Sequence, residues 1–261
     1  MKDLTFCLLA RIDSPNRLDN LKTLLAYYSR HVRASYLVLE ADSVPQLSFL
    51  SSCPSVAYRF VKDDNPVFHR TQYINQMLGM ARTTYAAVWD VDIITPVSSL
   101  HTAYERLKKE DWVMVYPFDG ICWTVNDYFS DLFRKSKNFS VLQAKEMARI
   151  PMYGYNCVGG AFLVDIARYQ QCGGENEHFT SWGPEDVERN RRLEILGHKP
   201  LRIPGELFHL DHARGLNSYF VNEEQAYLAK KEFCKICAME KEELKQYIGQ
   251  WEWVETTDKD K

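Results

Sequence analysis

No apolar run in this 261-residue chain reaches membrane-spanning length, because a helix needs about 20 consecutive apolar residues to cross a bilayer. The apolar stretch nearest the start, LTFCLLARI, is short and follows charged residues directly. It is expected to be a strand, not an anchor or a leader. An excess of one charge sign is missing too. A formal net charge of -3 leaves no electrostatic footprint for nucleic acid. The seven cysteines are odd in number and scattered, which argues for a reducing compartment. Cys234 and Cys237 form a C-x-x-C on an apparent helix, with no second pair nearby to complete a zinc site. Glycine devices for phosphate are absent: there is no G-x-x-x-x-G-K-[ST] and no G-x-G-x-x-G after the first strand. There is no H-E-x-x-H either. A nucleotide bound here would need a metal ion and arginines for its phosphates. Arg11, Arg17 and Arg70 are available, with Arg17 expected to be a solvated surface residue. Internal repeats, low-complexity stretches and linkers are also lacking.

What is present is alternation of strand and helix. Residues 4 to 12 form a β-rich run, and Ser14-Pro15 starts a helix with Leu18, Leu21, Leu25 and Tyr28 on one face. ASYLVLEAD and VAYRFVKDD are strands ending in acids. A helix with Ile74, Met77, Leu78 and Ala81 on one face precedes the strand TYAAVWDVDI. A further helix near 97 to 109 and the strand WVMVYPF follow. This order predicts an α/β fold with a Rossmann-like, mostly parallel sheet flanked by helices. Ligands of such sheets bind beyond the carboxyl ends of the strands. Arg11, Asp13, Glu40, Asp42, Asp90 and Asp92 are all expected there. The chain from about 221 is expected to be a charged helical tail ending in a frayed DKDK. It is expected to pack on the domain; a partner or a membrane surface is the alternative.

Three clusters carry candidate chemistry. In a strand, Asp90 and Asp92 would point the same way and Val91 the opposite way. Two such carboxylates can hold a hard divalent cation, which can bridge a diphosphate. In GGENEHFTSWGPEDVERNRRLEILG, Pro184 suits a helix start and Gly197 its end. Glu185 and Asp186 then lie in the first turn, where the helix macrodipole favours ionised carboxylates. In FHLDHARGLNS, His209 and His212 stand three apart after a strand and are candidate metal ligands.

Together FHRTQYIN, WDVDIITP, CVGGAFLV, GGENEHFTSWGPEDVERNRRL and HLDHARGLNS resemble a GT-A glycosyltransferase. The resemblance is to the galactosyltransferase-like group, which includes β-1,4-galactosyltransferases and chondroitin-polymerase and polypeptide N-acetylgalactosaminyltransferase domains. It spans about residues 4 to 220. It implies a nucleotide-binding half over about 1–95, an acceptor half over about 96–220 and the tail over about 221–261, in one catalytic domain. By resemblance, Arg11, Asp13, Glu40, Asp42, Phe68, Arg70 and Asp90 meet the donor nucleotide. Asp92 and His212 bind Mn²⁺ or Mg²⁺, with His209 a second histidine candidate. Gly159, Gly160, Trp182 and Glu185 face the sugars, and Asp186 is the catalytic base. Ser181 and Pro184 depart from the group's pattern, which implies a different acceptor side. The Glu-Asp pair, in place of the Glu-Asn of retaining members, implies inversion. The expected reaction moves galactose, N-acetylgalactosamine, glucose or N-acetylglucosamine from a UDP-sugar to a saccharide hydroxyl. The expected setting is bacterial surface-polysaccharide synthesis in the cytoplasm, with contact at the inner membrane through a lipid-linked acceptor. The alternatives are a non-catalytic sugar-nucleotide-binding partner of the same fold, or a nucleotidyltransferase.

Overall fold

A computed structural model describes residues 1–215 and 218–254. The closing DKDK, expected to be frayed, lies outside the described residues, as do Leu216 and Asn217 of the HLDHARGLNS segment.

The strands are β1 (Leu4–Ala10), β2 (Ser35–Asp42), β3 (Val56–Lys62), β4 (Tyr85–Trp89), β5 (Ile93–Ile94), β6 (Met114–Tyr116), β7 (Cys122–Thr124), β8 (Ile150–Pro151), β9 (Ala161–Asp165), β10 (Leu201–Arg202) and β11 (Leu207–His209). The helices are α1 (Pro15–His31), α2 (Arg70–Met80), α3 (Val97–Lys109), α4 (Asp127–Ser136), α5 (Ile166–Gln171), α6 (Glu185–Leu196), α7 (Glu223–Cys237) and α8 (Lys241–Ile248). A seven-stranded sheet runs in the order β10-β6-β9-β4-β1-β2-β3. Strands β1, β2, β3 and β4 pair in parallel, while β9 runs antiparallel to β4 and β6. A second sheet of four short strands, β5-β11-β7-β8, stands beyond the carboxyl end of β4.

Local chemistry sets these elements. Every residue of LTFCLLA in β1 is buried, as a central parallel strand covered on both faces requires. Ser14 caps α1 by accepting from the Arg17 N–H, and Pro15 occupies its first turn. In α3, Leu100, Ala103, Tyr104 and Leu107 form the buried stripe, and Arg106, Lys108 and Lys109 face the negative end of the helix dipole. Gly197 ends α6 with φ of 89°, a left-handed conformation that suits glycine. The core behind the first sheet centres on Phe6, Tyr28 and Trp89, with ring centroids 5.2 to 5.5 Å apart.

The tail packs on the domain. Ala229 and Ile236 of α7 and Leu244 and Ile248 of α8 are buried, and Trp251 follows them into the core. Its ring lies under Arg192 of α6 at 5.5 Å and against Gly173, where a Cβ would stand 2.7 Å away. Among the described residues no helix is long and apolar enough to cross a membrane. All seven cysteines are free thiols, and Cys234 of the C-x-x-C is exposed.

Candidate active site

The two acids of WDVD do not lie on a strand. Strand β4 stops at Trp89, and Asp90 to Asp92 form a turn closed by the Ile93 N–H donating to the Asp90 carbonyl at 3.1 Å. Side-chain alternation therefore does not orient them, and Val91 lines the same cleft as both acids. The turn is held from three sides. The Asp90 N–H donates to the Gly160 carbonyl at 2.8 Å, the Leu210 N–H to the Asp92 carbonyl at 2.9 Å, and the Trp89 indole N–H to the Ile93 carbonyl at 3.0 Å. A backbone pinned on both flanks places its carboxylates without motion.

Asp92 is only 4% exposed. Its Oδ2 lies 3.0 Å from His212 Nε2 and its Oδ1 3.7 Å from His209 Nε2. Among the described residues these three form a cluster whose ligand atoms all lie within 4.8 Å of one another. His212 Nδ1 lies 2.7 Å from the Ala213 carbonyl, which orients the ring and leaves Nε2 for the cluster. Burial opposes the Asp92 charge, but the fields of His209 and His212 outweigh it and hold the carboxyl well below the usual range. Burial lowers the His209 pKa, favouring the neutral imidazole that a metal requires. Two imidazoles and an ionised carboxylate at an open cleft fit a divalent first-row ion with positions left for other ligands.

Across the cleft lies the start of α6. Arg70 reaches between the two sides, 2.7 Å from Asp90 Oδ1 and 3.7 Å from Glu185 Oε1. Burial raises the Asp90 pKa to about 6, against the pull of Arg70. Glu185 is 7% exposed, and its Oε2 has no hydrogen-bond partner. Burial and then the neighbouring Asp186 push its pKa up to about 8. The macrodipole argument for an ionised first-turn acid fails at Glu185, because desolvation exceeds the half-charge of a helix end. Asp186 accepts from Arg189 at 2.7 Å. Its other oxygen faces Gly159, where a Cβ would sit 2.3 Å away. Gly160, with φ of 86°, turns the chain beside Ile93. Trp182 is 40% exposed and stacks edge-on against Phe220 at 5.0 Å.

These groups line one cleft of about 580 Å³. Arg11, Phe68, Arg70, Asp90, Asp92, Gly159, Gly160, Trp182, Glu185, Asp186, His209 and His212 all border it. Arg11 is a buttress there: its guanidinium lies 4.5 Å over Phe68, pairs with Asp63 and donates to the carbonyls of Ala41 and Asn65 at 2.9 Å.

Asp13, Glu40 and Asp42, read above as nucleotide contacts, do not line the cleft. Glu40 is fully buried and accepts from the Gln46 and Leu47 N–H groups at 2.8 and 3.1 Å and from the Tyr58 hydroxyl. Asp42 accepts from the Ile12 and Ser43 N–H groups at 3.1 and 2.8 Å. Asp13 pairs with Arg17 at 2.9 Å. Acids at strand ends are consumed by the unpaired N–H groups of the loops that follow. Arg17 is the opposite correction. It is drawn in by Asp13 and lies 3.3 Å from His212 Nδ1 on the cleft wall. Tyr153, Phe220 and Lys230 also line it, though no sequence motif marked them, and so does Arg214 of HLDHARGLNS.

The family described as the N-terminal domain of galactosyltransferase matches residues 141–214, which carry Gly159, Glu185, Asp186, His209 and His212. No curated protein matches. Among solved structures, GalNAc-T7 with UDP, GalNAc and Mn²⁺ superposes with a TM-score of 0.60 at 10% identity, over 95% of this chain and 50% of that one. A mannosyltransferase of Pyrobaculum calidifontis with GDP-Man and Mn²⁺ gives 0.52 at 15%, over 82% of this chain and 58% of that one. The catalytic domain of Drosophila β1,4-galactosyltransferase 7 with xylobiose gives 0.49 at 18%, over 81% and 72%. At these identities the likeness is one of fold, and the chain spans about half the length of the first two. The chain therefore has the GT-A fold of these glycosyltransferases, and its residues 141–214 are similar to the N-terminal domain of galactosyltransferase.

Proposed function

We propose that this protein is a metal-dependent, inverting glycosyltransferase that moves a sugar from a UDP-sugar to a saccharide hydroxyl. The observation that carries the reading is the meeting of two devices in one cleft. The Asp92–His209–His212 cluster and Asp186 line the same cavity. The structures of similar fold hold Mn²⁺ together with UDP or GDP-Man, which supports a sugar nucleotide as donor.

Asp92, His209 and His212 would hold the divalent ion, Mn²⁺ or Mg²⁺. When bound, it supplies the positive charge that a departing diphosphate needs. Arg17, 3.3 Å from His212, and Arg214 line the same cleft and would meet the phosphates. Phe68, braced by Arg11, offers a face to the base. Asp186 takes the proton of the acceptor hydroxyl through Oδ2, the oxygen that Arg189 does not hold. The acceptor oxygen then attacks the anomeric carbon from the face opposite the nucleotide, so an α-linked donor gives a β-linked product. General base catalysis of this kind is worth about 10²- to 10⁴-fold.

A screen of UDP release from several UDP-sugars with Mn²⁺ tests the reading. Asp186→Asn should retain UDP binding and lose transfer; wild-type transfer by that variant removes the base assignment. Pyrophosphate release from a nucleoside triphosphate would instead favour a nucleotidyltransferase. UDP binding without turnover on any donor and acceptor would favour a non-catalytic partner.

A further inference from the structure

The two oxygens of Asp186 have different neighbours. Oδ1 accepts from Arg189 Nη1 at 2.7 Å, and Oδ2 faces the Gly159 backbone. Arg189 has no exposed surface. Two further N–H groups donate to Glu175, from Nε to Oε1 at 2.8 Å and from Nη2 to Oε2 at 2.7 Å. Glu175 is fixed in turn by the Tyr169 hydroxyl of α5 at 2.7 Å, and its own N–H donates to Asn75 Oδ1 at 2.8 Å. The Arg189 guanidinium carbon lies over the Phe162 ring of β9, 4.3 Å from its centroid. One rigid chain therefore runs from α5 and β9 through Glu175 and Arg189 to a single oxygen of Asp186.

A buried ion pair of this kind is a poor stabiliser, since apolar side chains of similar volume often do as well or better. Its geometry suits another purpose. Asp186 stands on the first turn of α6, close to a second arginine, Arg70, which already serves Asp90 and Glu185. A carboxylate free to rotate there would turn toward Arg70 and lose its aim. We propose that Arg189, held by Glu175, is a positioning residue for Asp186, occupying Oδ1 and leaving Oδ2 alone to meet the acceptor hydroxyl. The inference rests on Asp186 being the base. Donor binding does not involve this chain of contacts, so its loss should appear in the transfer step only. Misplacing a reacting group by about 1 Å can cost about 100-fold in rate.

The test compares wild type with Glu175→Met/Arg189→Met, which removes both buried charges together at the cost of the Tyr169 hydroxyl's acceptor, and with Arg189→Lys. UDP with Mn²⁺ is the binding probe, and the most active UDP-sugar of the screen is the substrate. The double variant should melt within a few degrees of wild type, bind UDP within twofold and show an unchanged donor KM. Its kcat should fall about 10- to 100-fold, and Arg189→Lys should recover part of that loss. A folded double variant with kcat within twofold of wild type overturns the proposal, as does a loss confined to donor KM. Should the double variant not fold, Arg189→Lys decides: reduced kcat at unchanged donor KM supports positioning, and wild-type kcat overturns it. Asp186→Asn separates the two levels. If it transfers at the wild-type rate, the base reading fails; if it is dead while the Arg189 variants are unimpaired, only the positioning role fails.

Discussion

Glu185 is where two electrostatic effects meet at one residue. The helix N-terminus favours its charge, but burial wins and raises its pKa from 4.5 to about 8. Between those values the unfolded chain has released the proton and the folded chain still holds it. The group's contribution to stability is therefore full below pH 4.5 and is lost as pH rises through about 8. Glu185→Gln, neutral at every pH, should gain in melting temperature over wild type as pH rises from 5 to 8. Paired thermal melts in chelator check this, and an equal difference at both pH values rejects it. Gly159 gives a second prediction at this scale. A Cβ there would lie 2.3 Å from Asp186 Oδ2. Gly159→Ala should push the carboxylate aside and cut kcat at least about 10-fold, with the melting temperature nearly unchanged. Steady-state rates beside a melt would show it.

At the scale of elements, α6 is the hinge between chemistry and support. Its first turn carries Glu185 and Asp186, and its buried face carries Arg189 and Arg192. Arg192 is served by Glu188 at 2.7 Å and by the Gly174 carbonyl at 2.7 Å, with Trp251 of the tail beneath it. The tail thus closes the underside of the helix that presents the acids. Trp251→Ala should cost about 3–5 kcal/mol, the range for a buried aromatic. For a chain of this size that is a fall of about 6–20 °C in melting temperature. A melt within 2 °C of wild type would show the tail to be dispensable to the fold, at roughly the resolution such a measurement has. The elements were readable where their signals are local. Ser14-Pro15 at the start of α1, the helix near 97 to 109 and Gly197 at the end of α6 stand where the local signals put them. The end of β4 was not, because the Asp90 N–H is taken by the carbonyl of Gly160, a partner distant in sequence.

For the whole molecule, folding and metal binding should be linked. A cluster assembled from the β4–β5 turn, β11 and the loop after it exists only in the folded chain. Any ion that binds there stabilises the fold by about 2.7 kcal/mol at 100 times its Kd. Mn²⁺ should therefore raise the melting temperature of wild type by about 5–10 °C and leave Asp92→Ala unmoved. Equal shifts in both proteins would place the ion elsewhere. The amino-acid sequence by itself determined the α/β alternation, the capped helix that carries Asp186, and the order of WDVD, GPED and HLDH along the chain. These depend on hydrophobic period and local hydrogen bonding, which short segments specify. Only the tertiary structure decided which polar side chains reach the cleft. It turned Glu40 and Asp42 to loop N–H groups, drew Arg17 in beside His212, and set Glu175 and Arg189 behind Asp186. The reason is that the fate of a polar group depends on every partner the fold brings within reach, and some of these are remote in sequence: Ile12 lies 30 residues from Asp42 and His212 lies 195 from Arg17.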